Sequence, residues 1–363
     1  MTPAELSWTV LSTVRRAVAA DELRVAVPEK VVVQRPPRPG CGDYATNVAL
    51  QLAGAAGRSA YEVAAILAPR LAKEPGIAQV EIAGAGFLNI TLSARAYADV
   101  VRQVREQGER YGYGDGLAGE RVTVVPEADG GLGGAAGGAG VGGVAGGVGV
   151  RARLVAEVVN TLLHAAGARP GREETLRVAE PAQPPAPVPD PAHRATDDPG
   201  TAAPALGPDE TRWALLRPPG EDTPRLTASL LEQRESNPLF RVRYAHARTR
   251  ALLRNAQDLG VRIEGRERDP YRHPAETELL GLVADFPRVV ETAARRRAPD
   301  RVARHMERLG DAFLRFQDEC PALPKGDEKP SAVHAARLRL ADATGIVLAG
   351  GLHLLGITAP DHL

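Results

Sequence analysis

The chain reads as a multidomain α+β protein: a small N-terminal α/β domain over residues 1–118, a Gly- and Pro-rich degenerate linker over 119–207, and a C-terminal all-α helical bundle over 208–363. Three observations predict this. A chain of 363 residues is longer than one hydrophobic core usually organises. Of the 20 residues from Gly130 to Gly149, 12 are glycine, and "PAQPPAPVPDPAHRATDDPGTAAPALGPD" further on is dominated by Pro, Ala and Asp, with almost nothing to bury. Before these segments strand and helix patterns mix; after about Pro208 the apolar spacing is helical throughout.

Taken in order, Leu6, Val10, Leu11, Val14 and Val18 recur at helical spacing, and "KVVVQ" then predicts a short strand. "GDYATNVALQLAG" predicts a helix with Asp43 at its N-cap. Ser59 and Glu62 form a capping-box pattern at the head of "SAYEVAAILAPRLAK", each side chain satisfying a backbone N–H near the helix start. "AQVEIAGAGFLNITLS" predicts two strands around Gly84 and Gly86, with Leu88, Ile90 and Leu92 alternating against Asn89 and Thr91. A helix from about Ala94 to Gln107 closes the domain, and the linker holds one helix, Val150 to Ala166.

In the bundle, Asn237 caps a helix that starts at Pro238, proline being well suited to a first helical position. Further helices are expected at Glu276–Ala284, Phe286–Arg297, Asp300–Glu319 and Ser331–Ala349, the last stopped by Gly350 and Gly351.

Formal net charge is zero, from 45 basic and 45 acidic residues, so no global excess announces a nucleic-acid partner and any such surface must be local. Cys41 and Cys320 fit no zinc or redox spacing, which points to a reducing compartment. No leader-like start and no membrane-length apolar run is visible, and a cytoplasmic location with no membrane partner is expected.

The glycine run does not have the make-up of a phosphate loop. A loop of the Walker kind needs a lysine for the terminal phosphates, and none occurs between Lys73 and Lys325. "GLGGAAG" matches a dinucleotide fingerprint formally, as a glycine-rich run will by chance. The eight histidines are scattered, with no metal pair and no neighbouring nucleophile. No catalytic residue, cofactor or metal site is expected.

Three blocks of the bundle carry a specific signal: "NPLFRVRYAHARTRALLRNA", "ELLGLVADFPRVVETAARRRAPDRVARHMERLGDAFLRFQDEC" and "ARLRLADATGIVLAGGLHLLGITAPDHL". In order, spacing and wording they resemble the DALR-type anticodon-binding domain of arginyl-tRNA synthetases. "GDYATNVALQLA" followed by "VEIAGAGFLNITLS" resembles the additional N-terminal domain of the same enzymes, which touches the tRNA elbow. The family's central domain is several times longer than what lies between Arg121 and the bundle, and grips ATP through a His-x-Gly-His signature and a Lys-Met-Ser-Lys-like loop. Here the first position falls in glycine, and no lysine exists to build the second. "RARLVAEVVNTLLHAAG" is similar to the helix that follows the lost signature, so residues 119–207 read as a remnant of the catalytic domain.

The chain therefore most resembles synthetase paralogues without a catalytic domain. The resemblance implies tRNA as partner, arginine tRNA in particular, with a full-length synthetase as a second candidate.

On α-helical geometry Val242, Ala245, Thr249, Leu253 and Ala256 form an apolar stripe, with Arg243, Arg250 and Arg254 on one flank and Arg241 and Arg248 on the other. Guanidinium groups on such flanks can pair with phosphates; a solvated face neutralised by nearby acids is the alternative. The resemblance implies that Tyr244, His246, Arg248, Arg243, Arg250 and Arg254 serve anticodon binding, where unpaired bases stack on aromatic or arginine planes, and that Tyr44 and Asn89 serve elbow binding. Three functions compete: a non-catalytic tRNA-binding protein, a reduced arginine–tRNA ligase, and a protein-interaction scaffold.

Overall fold

The computed structural model describes residues 1–36, 41–127, 149–181, 206–263 and 271–363. The glycine run from 130 to 148 and the proline-rich stretch from 182 to 205 lie outside the described residues. The chain divides into two compact units: Met1–Glu106 with Ala256–Asp285 and Phe316–Ala343, and Gln107–Asn255 with Phe286–Arg315 and Thr344–Leu363.

The first unit opens with helix α1 (Pro3–Ala19), whose Thr2–Glu5 capping box starts it and whose Leu6, Val10 and Val14 are fully buried. Strands β1 (Val33–Gln34) and β2 (Tyr44–Thr46) lead into α2 (Val48–Ala56) and α3 (Ala60–Leu71). The expected Ser59–Glu62 capping box is present at α3. Strands β3 (Ile77–Ala83) and β4 (Phe87–Leu92) form the expected hairpin, and α4 (Ala94–Gln107) follows. The hairpin turn holds Gly84 at φ 54° and Gly86 at φ 131°, conformations that a Cβ disfavours. The sheet is antiparallel, in the order β1-β2-β4-β3.

Asp43 caps no helix. Its carboxylate accepts from Leu92 N–H at 2.7 Å, the next three residues are strand, and α2 begins only after Asn47. A short apolar segment ahead of a helix was absorbed into the helix by its periodicity.

The second unit contains an element pair that periodicity did not reveal. Strand β5 (Arg121–Pro126) and strand β6 (Arg169–Leu176) pair in parallel, with helix α5 (Val150–Ala165) between them in the chain. Asn160 of α5 secures β5, accepting from Val124 N–H at 2.8 Å and donating to Val124 O at 2.8 Å. Part of the segment read as linker, 119–207, is thus a β-α-β unit.

Helices α6 (Pro208–Leu216), α7 (Pro238–Asp258), α8 (Pro274–Arg296), α9 (Asp300–Glu319) and α10 (Ala332–Leu354) make up the rest. Two expected stops are absent. The helices expected at 276–284 and 286–297 are one helix, α8, which runs through Pro287; full burial of Phe286 and Val290 on either side offsets the hydrogen bond that proline forfeits. Helix α10 likewise continues through Gly350 and Gly351. Gly351 faces the Met306 sulfur so closely that a Cβ would collide with it, so this glycine serves close packing; the left-handed Gly356, at φ 70°, follows the helix end.

Candidate nucleic-acid interface

Helix α7 is fixed at its start by Asn237, whose Oδ1 accepts from Leu239 N–H at 3.1 Å and Phe240 N–H at 3.3 Å. Its Nδ2 donates to the carbonyls of Leu230 and Glu232, so a side chain only 4% exposed has all its polar atoms engaged. The buried face comprises Val242, Ala245, His246, Thr249, Leu252 and Ala256. Leu253, expected in this stripe, is half-buried, and His246 and Leu252 lie inside instead.

The two flanks of α7 differ. On one, Arg243 bonds Asp209 at 2.9 Å, Glu210 at 3.2 Å and the Thr358 hydroxyl at 2.8 Å. Nδ1 of His246 meets the Pro360 carbonyl at 2.9 Å. Arg250 pairs with Asp361 at 3.2 Å, and Arg254 reaches the Asp361 carbonyl at 3.4 Å and His362 at 3.3 Å. Residues 358–362 therefore lie along the flank that was expected to meet phosphates, and their polar groups engage its guanidiniums. Burial lowers the His246 pKa below its ordinary value of 6.5, which keeps the imidazole neutral with Nδ1–H as donor to the carbonyl.

The other flank carries Tyr244, Arg248 and Arg241. The Tyr244 ring, 38% exposed, stacks on Phe240 with centroids 5.7 Å apart and planes 20° from parallel. Arg248 is exposed one turn further on, and Arg241 beside them is paired with Asp311 at 3.0 Å. Unpaired bases stack on exposed aromatic or guanidinium planes.

In the first unit, the face of β4 opposite the core carries Phe87, Asn89 and Thr91. Phe87 is 42% exposed and Asn89 half-buried, paired in register with Ala45. A small cavity of about 180 Å³ beside them is lined by Val32, Gln34, Asn47, Gln51 and Phe87 among others. Tyr44 is not on this face. It is 2% exposed, paired with Ile90 across the sheet, so its ring fills the core and cannot meet RNA as expected. The alternation that turns Leu88, Ile90 and Leu92 inward also places Phe87 on the outward face with Asn89 and Thr91.

Where the glycine run ends, the N-terminus of α5 is occupied by the protein itself. The Glu180 carboxylate accepts from Ala152 N–H at 2.7 Å and Arg151 N–H at 3.0 Å. Arg151, fully buried, donates to the carbonyls of Leu215 at 2.9 Å, Asp222 at 2.6 Å, Pro218 at 3.0 Å and Pro219 at 2.7 Å, which fixes the loop after α6. Among the described residues no group of three or more His, Cys, Asp or Glu could hold a metal ion, and no helix is long and apolar enough to cross a membrane.

Comparison with known proteins agrees with this architecture. Residues 242–363 match the DALR anticodon binding domain and residues 10–92 the arginyl tRNA synthetase N terminal domain. An arginine–tRNA ligase of Frankia alni is 30% identical over an alignment of 552 positions that takes in 100% of both chains. Among solved structures, arginyl-tRNA synthetase of Thermus thermophilus aligns over 100% of both chains with a TM-score of 0.62 at 13% identity. The Plasmodium falciparum arginyl-tRNA synthetase aligns over 99% of both with a TM-score of 0.64 at 9% identity. At these identities the two structures speak to the fold alone.

Proposed function

Because the chain belongs to the arginyl-tRNA synthetase family, we propose that it binds tRNA without activating arginine. In this reading residues 1–118 hold the elbow, 208–363 hold the anticodon arm, and 119–207 are what remains of the catalytic domain.

The observation that carries the non-catalytic half is Glu180. In nucleotide-binding β-α-β units the ligand phosphates sit at the helix N-terminus, where free N–H groups and the helix dipole favour an anion. At α5 a carboxylate from the same chain already takes that position. An ATP phosphate would have to displace it and would face its negative charge. The sequence supports the same reading, since no lysine lies between residues 73 and 325 to stabilise charge developing on phosphate.

The RNA half rests on the flank of α7 that carries the exposed side chains of Tyr244 and Arg248. Tyr244 offers a ring face for an unpaired base and Arg248 a guanidinium for the adjoining phosphate or base plane. Phe87 and Asn89 are the corresponding groups for the elbow, a platform and an amide edge.

Arginine-dependent exchange of pyrophosphate into ATP tests the first half. The expected result is no exchange above a control without protein; exchange above that control would restore the ligase reading.

A further inference from the structure

Five arginines gather at one cavity of the second unit. A cavity of about 760 Å³ is walled by Arg288 of α8, by Arg301, Arg304 and Arg308 of α9, and by Arg217 at the end of α6. Positions 301, 304 and 308 follow i, i+3 and i+7, so the three α9 guanidiniums emerge on one face.

Among the described residues, the carboxylates that line the cavity are Asp300 and Glu307. Glu307 is held by Arg217 at 3.0 Å, and Asp300 stands 3.7 Å from Arg304. Among the described residues Arg301 and Arg308, both exposed, have no carboxylate partner. Burial pushes the Asp300 carboxyl up.

This arrangement opposes local stability. Arg301 stands in the first turn of α9, where the helix dipole favours an anion and disfavours a cation. Arg304 and Arg308 then add like charge on the same face. Asp300 supplies the first-turn acid of α9 and pairs with Arg304, so the local excess lies with Arg301 and Arg308, cations kept without a carboxylate partner as a ligand site keeps them.

We propose that this cavity is a phosphate-binding site for the sugar–phosphate backbone of RNA, making a sequence-independent contact that supplements α7. The proposal rests on the tRNA-binding reading. Forked guanidiniums match phosphate oxygens in pairs. From Arg301 to Arg308 the helix rises roughly 10 Å, longer than one phosphate and suited to successive phosphodiesters. The walls carry no aromatic ring to stack a base, so the cavity reads backbone and not sequence.

The test uses the full chain with Arg301→Gln and Arg308→Gln combined, both side chains being exposed and without a carboxylate partner. Removing these cations should leave the melting temperature unchanged or raise it. Binding to bulk tRNA, titrated across salt concentrations, should weaken, and the slope of log affinity against log salt should become shallower by roughly 0.7 to 0.9 per lost contact.

Wild-type affinity and slope in this variant would overturn the proposal, while leaving the tRNA-binding reading intact if Tyr244→Ala still weakens binding. No tRNA binding by the wild-type chain would instead remove that reading, and the proposal with it. Titration with inorganic tripolyphosphate separates the other source of phosphate. Saturable tripolyphosphate binding lost in the double variant, with tRNA binding unaffected, would show a site for free polyphosphate and contradict the RNA assignment.

Discussion

His246 donates from Nδ1 to the carbonyl oxygen of Pro360 across 2.9 Å, a bond that fastens the chain's last residues to the side of α7. The imidazole is 4% exposed, and burial is the main reason its pKa falls below 6.5. The native state therefore takes up a proton less readily than the unfolded chain. Stability should be full above about pH 6.5 and decline as pH falls through the unfolded value toward the lower folded one. Thermal melts from pH 7.5 to 5 should show this decline in the wild-type chain and a smaller one in His246→Gln; equal declines would dissociate His246 from it.

Arg243 belongs to the same fastening. With Asp209, Glu210 and Thr358 as partners, its loss leaves two half-buried carboxylates without a countercharge. Arg243→Gln should destabilise the fold by about 1 to 3 kcal/mol in denaturant titrations and leave the salt dependence of tRNA binding nearly unchanged. Of the two expectations for this flank, phosphate contact or neutralisation by nearby acids, the ion pairs of Arg243 match the second. A slope change without a stability change would return Arg243 to the RNA interface.

Tyr244→Ala removes an exposed ring that already has a stacking partner in Phe240. If the ring takes an unpaired base, tRNA affinity should fall by roughly 1 to 3 kcal/mol with the salt slope preserved. Unchanged affinity in filter binding would place the RNA elsewhere.

Glu180→Gln keeps an acceptor at the head of α5 and removes its charge. Loss of the favourable interaction with the helix N-terminus should cost about 0.3 to 1 kcal/mol, and ATP should still fail to bind in isothermal titration, because no lysine or signature histidine is there to hold its phosphates. ATP binding by the Gln variant would mean that the carboxylate alone keeps nucleotide out.

The elements that could be read from the chain were those whose signal is local. The Ser59–Glu62 box, the Gly84–Gly86 hairpin and the Asn237 cap each depend on residues within a few positions, and each has the expected form. The pairing of β5 with β6 depends on partners such as Val124 and Glu174, fifty positions apart, and β6 is polar and largely exposed, without the alternation that marks a half-buried strand. Pro287, Gly350 and Gly351 are stop signals on propensity alone, overridden by packing that only the fold supplies. The candidate site divides in the same way. Arg248 follows from one helix wheel and Tyr244 from the family resemblance, but the engagement of His246, Arg243, Arg250 and Arg254 with residues 358–362 joins positions more than a hundred apart.

Equilibrium binding of bulk tRNA to the full wild-type chain, measured by filter retention from low to moderate salt, tests the central claim most directly. The account predicts saturable binding that weakens steeply as salt rises. Failure to retain tRNA at low salt, by a chain that melts cooperatively, would contradict it.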